Sequence, residues 1–100
     1  MQALNEHQKR HLRRLGHERK PVVLMGAAGL TPTVLDEINR ALDDHELIKV
    51  KVVADDRAHR EALIQRICED TGAHLVQAIG KIALLFRRSR IQKKRRIALP

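Results

Sequence analysis

The sequence predicts one compact α/β (α+β) domain in the order α-β-α-β-α-β-β, with a four-stranded mixed sheet and helices packed on it. Three observations carry that expectation. One hundred residues, 43% apolar and 32% charged, suit one core and exclude a second domain, because domains typically hold about 100 to 200 residues. Apolar positions switch between a helical period and a period of two along the chain, which marks alternating helices and strands. A single cysteine, Cys68, closes no internal disulfide, so Val, Ile and Leu must hold the fold, as in a reducing compartment. The cytoplasm is the expected location.

Residues 4–15 put Leu4, His11, Leu12 and Leu15 on one side, with Lys9, Arg10, Arg13 and Arg14 largely away from it, which predicts an amphipathic helix with a basic face. Gly16 is its expected stop, and Pro21 then opens the β-branched run of a first strand over 21–26. Thr31 followed by Pro32 is the N-cap and N1 pair of a second helix over 32–44, carried by Val34, Leu35, Ile38, Ala41 and Leu42. LIKVKVV sets Leu47, Ile48, Val50 and Val52 against Lys49 and Lys51, a second strand with one wetter face. HREALIQRICEDTG reads as a third helix, with Ala62, Leu63, Ile67 and Cys68 inward and Gly72 at its end. HLVQAIG and KIALLFRR read as two antiparallel strands meeting at Gly80-Lys81, with Leu75, Val76, Ile79, Ile82, Leu84 and Phe86 as core candidates. Which face of the sheet each helix takes is open.

The net charge of +8 is unevenly spread. Residues 1–20 hold six basic and two acidic residues, residues 81–100 hold eight basic and none acidic, and the stretch between is net acidic. An anionic partner at the chain's two ends is the expectation. The expected division is a domain over 1–88 and a basic C-terminal tail over 89–100, SRIQKKRRIALP, which reads as a phosphate-binding arm or as a merely solvated tail. With Phe86 the one aromatic residue, there is no row of rings on which to stack bases, so a nucleic acid has to be held through backbone and charge. No N-terminal apolar run marks a secretory signal, and no stretch approaches the roughly 18 apolar residues of a membrane span. The first helix has a short apolar face without Trp or Phe anchors, which disfavours a membrane-surface role.

Gly26-Ala27-Ala28-Gly29 lies between a strand and the capped start of a helix. Glycines let a ligand approach the backbone, and free N–H groups at a helix start attract anions. Alone, such a loop is more often a structural turn than a binding loop, and its value here comes from its position. Enzyme chemistry finds less support: the chain has no G-x-x-x-x-G-K-[ST] loop and no full dinucleotide fingerprint. His7 and His11 are spaced for two ligand positions on a helix, but no third ligand accompanies them. Asp43-Asp44, Asp55-Asp56 and Glu69-Asp70 read as caps, turns and solvated faces, and Cys68 as a buried small hydrophobe. No cofactor, metal or catalytic residue is expected.

KPVVLMGAAGLTPTVLDEINRALDDHELIKVKV followed by DTGAHLVQAIGKIALLFRR resembles the YhbY-type CRM domain, named for chloroplast RNA splicing and ribosome maturation. The resemblance runs from about Gln8 to Arg88. It implies an RNA-binding domain, found alone in bacteria with precursors of the large ribosomal subunit and in plants as a module of splicing factors. The implied fold is similar to the C-terminal domain of translation initiation factor three. The family's GxxG loop, likened to that of KH domains, falls here on Gly26, Ala27, Ala28 and Gly29. Two alanines at its variable positions leave only backbone donors and move the charge to nearby Lys and Arg. The side chains expected to supply it are Lys9, Arg10, Arg13 and Arg14 on the first helix, Lys20 before the first strand, Lys81 at the hairpin, and Arg87 and Arg88 at the end of the last strand. The expected partner is large-subunit ribosomal RNA or a pre-ribosomal particle, met by a monomer and without a membrane; a basic adaptor docking on acidic proteins is the alternative.

Overall fold

Each helix begins where a short polar side chain captures a free backbone N–H. Asn5 accepts from the Gln8 N–H while the Gln8 side chain accepts from the Asn5 N–H, a capping box that starts α1 (Glu6–Gly16). Thr31 accepts from Val34 N–H ahead of Pro32 and opens α2 (Pro32–His45). Asp56 accepts from His59 N–H and opens α3 (Arg57–Thr71). The strands are β1 (Pro21–Met25), β2 (Leu47–Val52), β3 (His74–Ile79) and β4 (Ile82–Phe86), and a short 3-10 turn follows at Gln92–Lys94. The computed structural model describes residues 3–100. The element order is the expected one, with the first strand ending at Met25 because Gly26 already belongs to the turn.

The sheet has the order β1-β2-β4-β3, with β1 and β2 parallel across α2, and β4 antiparallel to both its neighbours. Its two faces carry separate cores. Helices α2 and α3 bury Ile38, Leu42, Ile64 and Ile67 against Val23, Met25, Ile48, Val50, Val52 and Leu85. Helix α1 buries Leu12 against Leu47, Val76, Leu84 and Phe86 on the opposite face, where Leu4, Ile97 and Leu99 from the chain ends complete the cluster. β4 is therefore covered on both sides, which is why it reads IALLF without alternation.

Several core expectations need correction. α1 turns Leu12 and Gly16 inward and leaves Leu15 exposed. Gly16 serves close packing, since a Cβ there would lie 2.8 Å from both Cδ atoms of Leu84. Gly72 is the left-handed stop that glycine supplies, at φ 75°. On α3 the inward positions are Ile64 and Ile67, with Leu63 and Cys68 half-buried and Ala62 exposed. Leu75 and Ile79 are exposed and Ile82 half-buried. For Ile79 and Ile82 the reason is length: eleven helical residues reach about 16 Å, too short for α1 to cover its whole face of the sheet, whereas Leu75 lies on the α3 face of the edge strand β3.

Candidate nucleic-acid interface

The Gly26–Gly29 segment is a tight turn, closed by the Gly29 N–H donating to the Gly26 carbonyl at 3.0 Å. Gly29 has φ 78°, a conformation that only glycine adopts without strain. Ala27 and Ala28 are exposed, and a Cβ built on Gly26 or Gly29 would meet nothing within 4 Å. The backbone of this turn is open to a ligand from outside. The turn leaves the same end of the sheet as the Gly80-Lys81 hairpin, whose Lys81 carbonyl accepts from Val52 N–H at 2.7 Å. Exposed Lys81 thus shares an end with the loop.

The other expected cations are distributed along the α1 face. Arg13 and His17 line a half-open groove of about 270 Å³ with Gly16, Pro21, Lys49, Gln77, Ile79, Ile82 and Leu84. It runs into an adjoining depression that shares Arg13, His17, Gln77 and Ile79 with it, so the two form one open surface feature and not an enclosed pocket. Arg14 lines the adjoining depression with Glu18. Lys9 and Arg10 stand further toward the start of α1, Lys9 with its ammonium 3.9 Å from Glu6. Lys20 precedes β1 and Arg88 follows β4, so both sit at the sheet end opposite the loop, about 17 Å away along β1 at 3.3–3.4 Å per residue.

Arg87 does not belong to the surface. It is 6% exposed, and its guanidinium donates to Asp43 (3.0 Å), to Asn39 Oδ1 (2.7 Å) and to the Thr71 carbonyl (2.7 Å). Burial lowers its pKa from the usual arginine range, and Asp43 opposes that shift. Asp43, read from the sequence as solvated, is buried and also accepts from Arg90 at 2.7 Å. The Arg90 hydrogen bond outweighs burial and holds the Asp43 carboxyl at about 2. Glu46, fully buried at φ 65°, accepts from the N–H groups of Ser89 (2.8 Å), Arg96 (2.7 Å) and Ile97 (3.0 Å). Burial pushes its pKa up, and those three backbone donors overcome this and leave it below the ordinary value. Lys94 pairs with Asp44 at 2.7 Å. Residues 89–97 are therefore fastened to the end of α2, with Arg88, Lys93, Arg95 and Arg96 exposed.

Lys49 and Lys51 were missed as site residues. Both lie on the α1 face of central strand β2, Lys49 in the groove and Lys51 one pair further toward the loop. The signal was present in LIKVKV: two lysines following Leu47 on one side of the strand mark the part of a sheet face that a helix leaves open. Burial also raises the Cys68 thiol pKa, as suits a packing residue. Among the described residues no three His, Cys, Asp or Glu side chains come together as a metal site, and no helix is long and apolar enough to cross a membrane.

The molecule thus presents an exposed glycine turn at one end of the sheet and, on the α1 face, a groove lined by Arg13, His17 and Lys49. The model of the CRS1 / YhbY (CRM) domain matches residues 4–87, and the chain belongs to that family. It is 46% identical over 87 residues to a probable RNA-binding protein of Pseudomonas aeruginosa, covering 87% of this chain and 84% of that one. An RNA-binding protein of Haemophilus influenzae is 45% identical over 100 residues, covering 100% of this chain and 98% of that one. The solution structure of a hypothetical Staphylococcus aureus protein, described as a candidate RNA-binding protein, superposes with a TM-score of 0.80 at 34% identity, over 97% of this chain and 99% of that one.

Proposed function

We propose that this chain is a non-catalytic RNA-binding protein of the cytoplasm that associates with large-subunit ribosomal RNA in pre-ribosomal particles. RNA contact runs through the Gly26–Gly29 turn, where the N–H groups of exposed Ala27 and Ala28 take phosphates, and through Arg13, Arg14 and Lys81, with Lys9 and Arg10 extending the basic surface along α1. Lys20 and Arg88 contribute only to a ligand long enough to reach the far end of the sheet. The RNA-binding elements lie within 1–88, and the segment 89–100, packed on them through Ile97 and Leu99 and bonded to Glu46, adds exposed charge. The observation that carries this reading is the exposed turn at the sheet end reached by Ile79 and Ile82 of a cation-lined groove that holds no carboxylate among its lining residues. The relatives named as RNA-binding proteins support RNA as the anion.

Crosslinking the protein in cells and sequencing the attached RNA tests it. Enrichment of large-subunit precursor RNA is expected; protein crosslinks without RNA would favour an adaptor on acidic proteins. In solution, about five neutralised phosphates give a slope of log K on log salt near −3.5 for single-stranded RNA.

A further inference from the structure

Across the half of the sheet that α1 leaves open, the strand register aligns Leu24 of β1, Lys51 of β2, Ile82 of β4 and Ile79 of β3 in one row. Residues opposite one another in a ladder point to the same face. Leu24 is 67% and Ile79 65% exposed, so the row is an apolar shelf with a lysine at its centre. The next row inward holds Pro21, Lys49, Leu84 and Gln77, and forms the groove floor beneath Arg13 and His17. Glu18 stands at the rim, while Asp55 and Asp56 lead into α3, which packs on the opposite face. The strand ends that form the outer row are those from which the Gly26–Gly29 turn and the Gly80-Lys81 hairpin emerge. Leu24, at the β1 edge of the shelf, stands two residues before Gly26 of the turn.

We propose that this open half-sheet is the bed for a single-stranded RNA segment running on from the glycine turn, with base faces laid on Leu24, Ile79 and Ile82 and phosphates held by Lys49, Lys51 and Arg13. The inference rests on the RNA-binding reading and deepens it by naming the form of the RNA. Only unpaired nucleotides offer base faces, since a duplex keeps them stacked and its deep groove is closed to side chains. Aliphatic side chains take a base face by apolar burial, which is tolerant of sequence. An apolar shelf alone would equally suit a protein; the two lysines select an anionic partner, and the relatives named as RNA-binding proteins favour RNA over an acidic protein. Covering them with a neutral surface leaves desolvated charge unpaired, whereas an RNA strand brings a phosphate with every nucleotide.

The test uses a fluorescein-labelled oligouridylate of roughly 12 nucleotides, within the span such surfaces bind, and a blunt RNA duplex of the same length. Fluorescence anisotropy is expected to show Lys49→Gln/Lys51→Gln weakening the single strand about tenfold and reducing the steepness of its salt slope by about 1.4, at 0.7 per phosphate. Ile79→Ser, at an exposed position, is expected to weaken the single strand about fivefold and leave the duplex unchanged. In the unsubstituted protein, where folding is not in question, bound oligouridylate is expected to protect Lys49 and Lys51 from acetylation. If the protein binds the strand and Gly26→Asp weakens it, yet both lysines stay reactive and neither sheet variant loses affinity, the bed is overturned and the RNA reading stands. Failure of the intact protein to bind either RNA removes both. Self-association abolished by Ile79→Ser with RNA affinity intact assigns the face to a second copy of the chain and also overturns the proposal.

Discussion

Arg13 and Arg87 come from the two basic ends of one chain, and the sequence places them on the same expected surface. Arg13 stands beside a groove whose lining includes Lys49 and His17 and no carboxylate. Arg87 is enclosed by Asp43, Asn39 and the Thr71 carbonyl. The segments around them differ in the same direction, although Arg88, Lys93, Arg95 and Arg96 stay exposed at the C-terminal end. At the N-terminal end the strongest pairing is a surface contact of 3.9 Å between Lys9 and Glu6, which exposed geometry makes worth little. At the C-terminal end, Arg87, Arg90 and Lys94 are each matched by Asp43 or Asp44 within 3.0 Å. Positive charge counted along a sequence is thus of two kinds. One is free to meet a ligand, and the other neutralises acids that lie far away in sequence and close in space.

The largest effect that would break this contrast is on stability. Asp43→Ala leaves the Arg87 guanidinium buried without its charge partner, and removal of one member of a buried pair costs about 3–5 kcal/mol. Urea denaturation should show that loss, while RNA affinity measured where the variant is still folded should change less than about twofold, the limit of surface effects. A large fall in RNA affinity with intact folding would move the C-terminal cluster into the binding surface. The reverse pattern is expected of Lys9→Glu with Arg13→Glu, which should lower RNA affinity and leave the denaturation midpoint in place.

A smaller effect follows from acid. The Asp43 carboxyl sits at about 2 in the folded protein against an ordinary 3.8, so it binds its proton less readily folded than unfolded. Its contribution is complete above about pH 4 and is lost as pH falls toward 2, and Glu46 acts in the same direction. With the Arg90 side of the pair open to solvent screening, the Asp43 share is about 1–2 kcal/mol. Denaturation midpoints across that range should fall in the unsubstituted protein and fall less in Asp43→Asn.

Element order and the mixed sheet were legible in the sequence because local signals set them: the Thr31-Pro32 cap, the alternation of Leu47–Val52 and the Gly72 stop. Long-range pairing was not legible. Nothing local to Asp43 or Glu46 announces that residues 89–97 return to them, because these partners are more than 40 positions apart. Ile79 and Leu75 were read as core for a related reason. An apolar residue in a strand signals a sheet face, and whether a helix covers that face depends on helix length and crossing position. The glycine turn was legible as a loop, and what the sequence withheld was its openness.

That openness gives the finest division, between two glycines of one turn. Gly26 has an ordinary φ and Gly29 has φ 78°, yet a Cβ at either meets nothing. Gly29→Ala forces an L-residue into the left-handed region and should cost about 1 kcal/mol, whereas Gly26→Ala should be neutral or stabilise by a few tenths through the unfolded chain. Thermal denaturation of the two variants checks this. Loss of RNA affinity in Gly29→Ala then mixes a distorted turn with a blocked one. Loss in Gly26→Ala, with the fold unperturbed, can come only from the added methyl standing where the RNA backbone must approach. Retained affinity there would confine the turn to a connecting role and leave the binding energy with Arg13 and the open sheet.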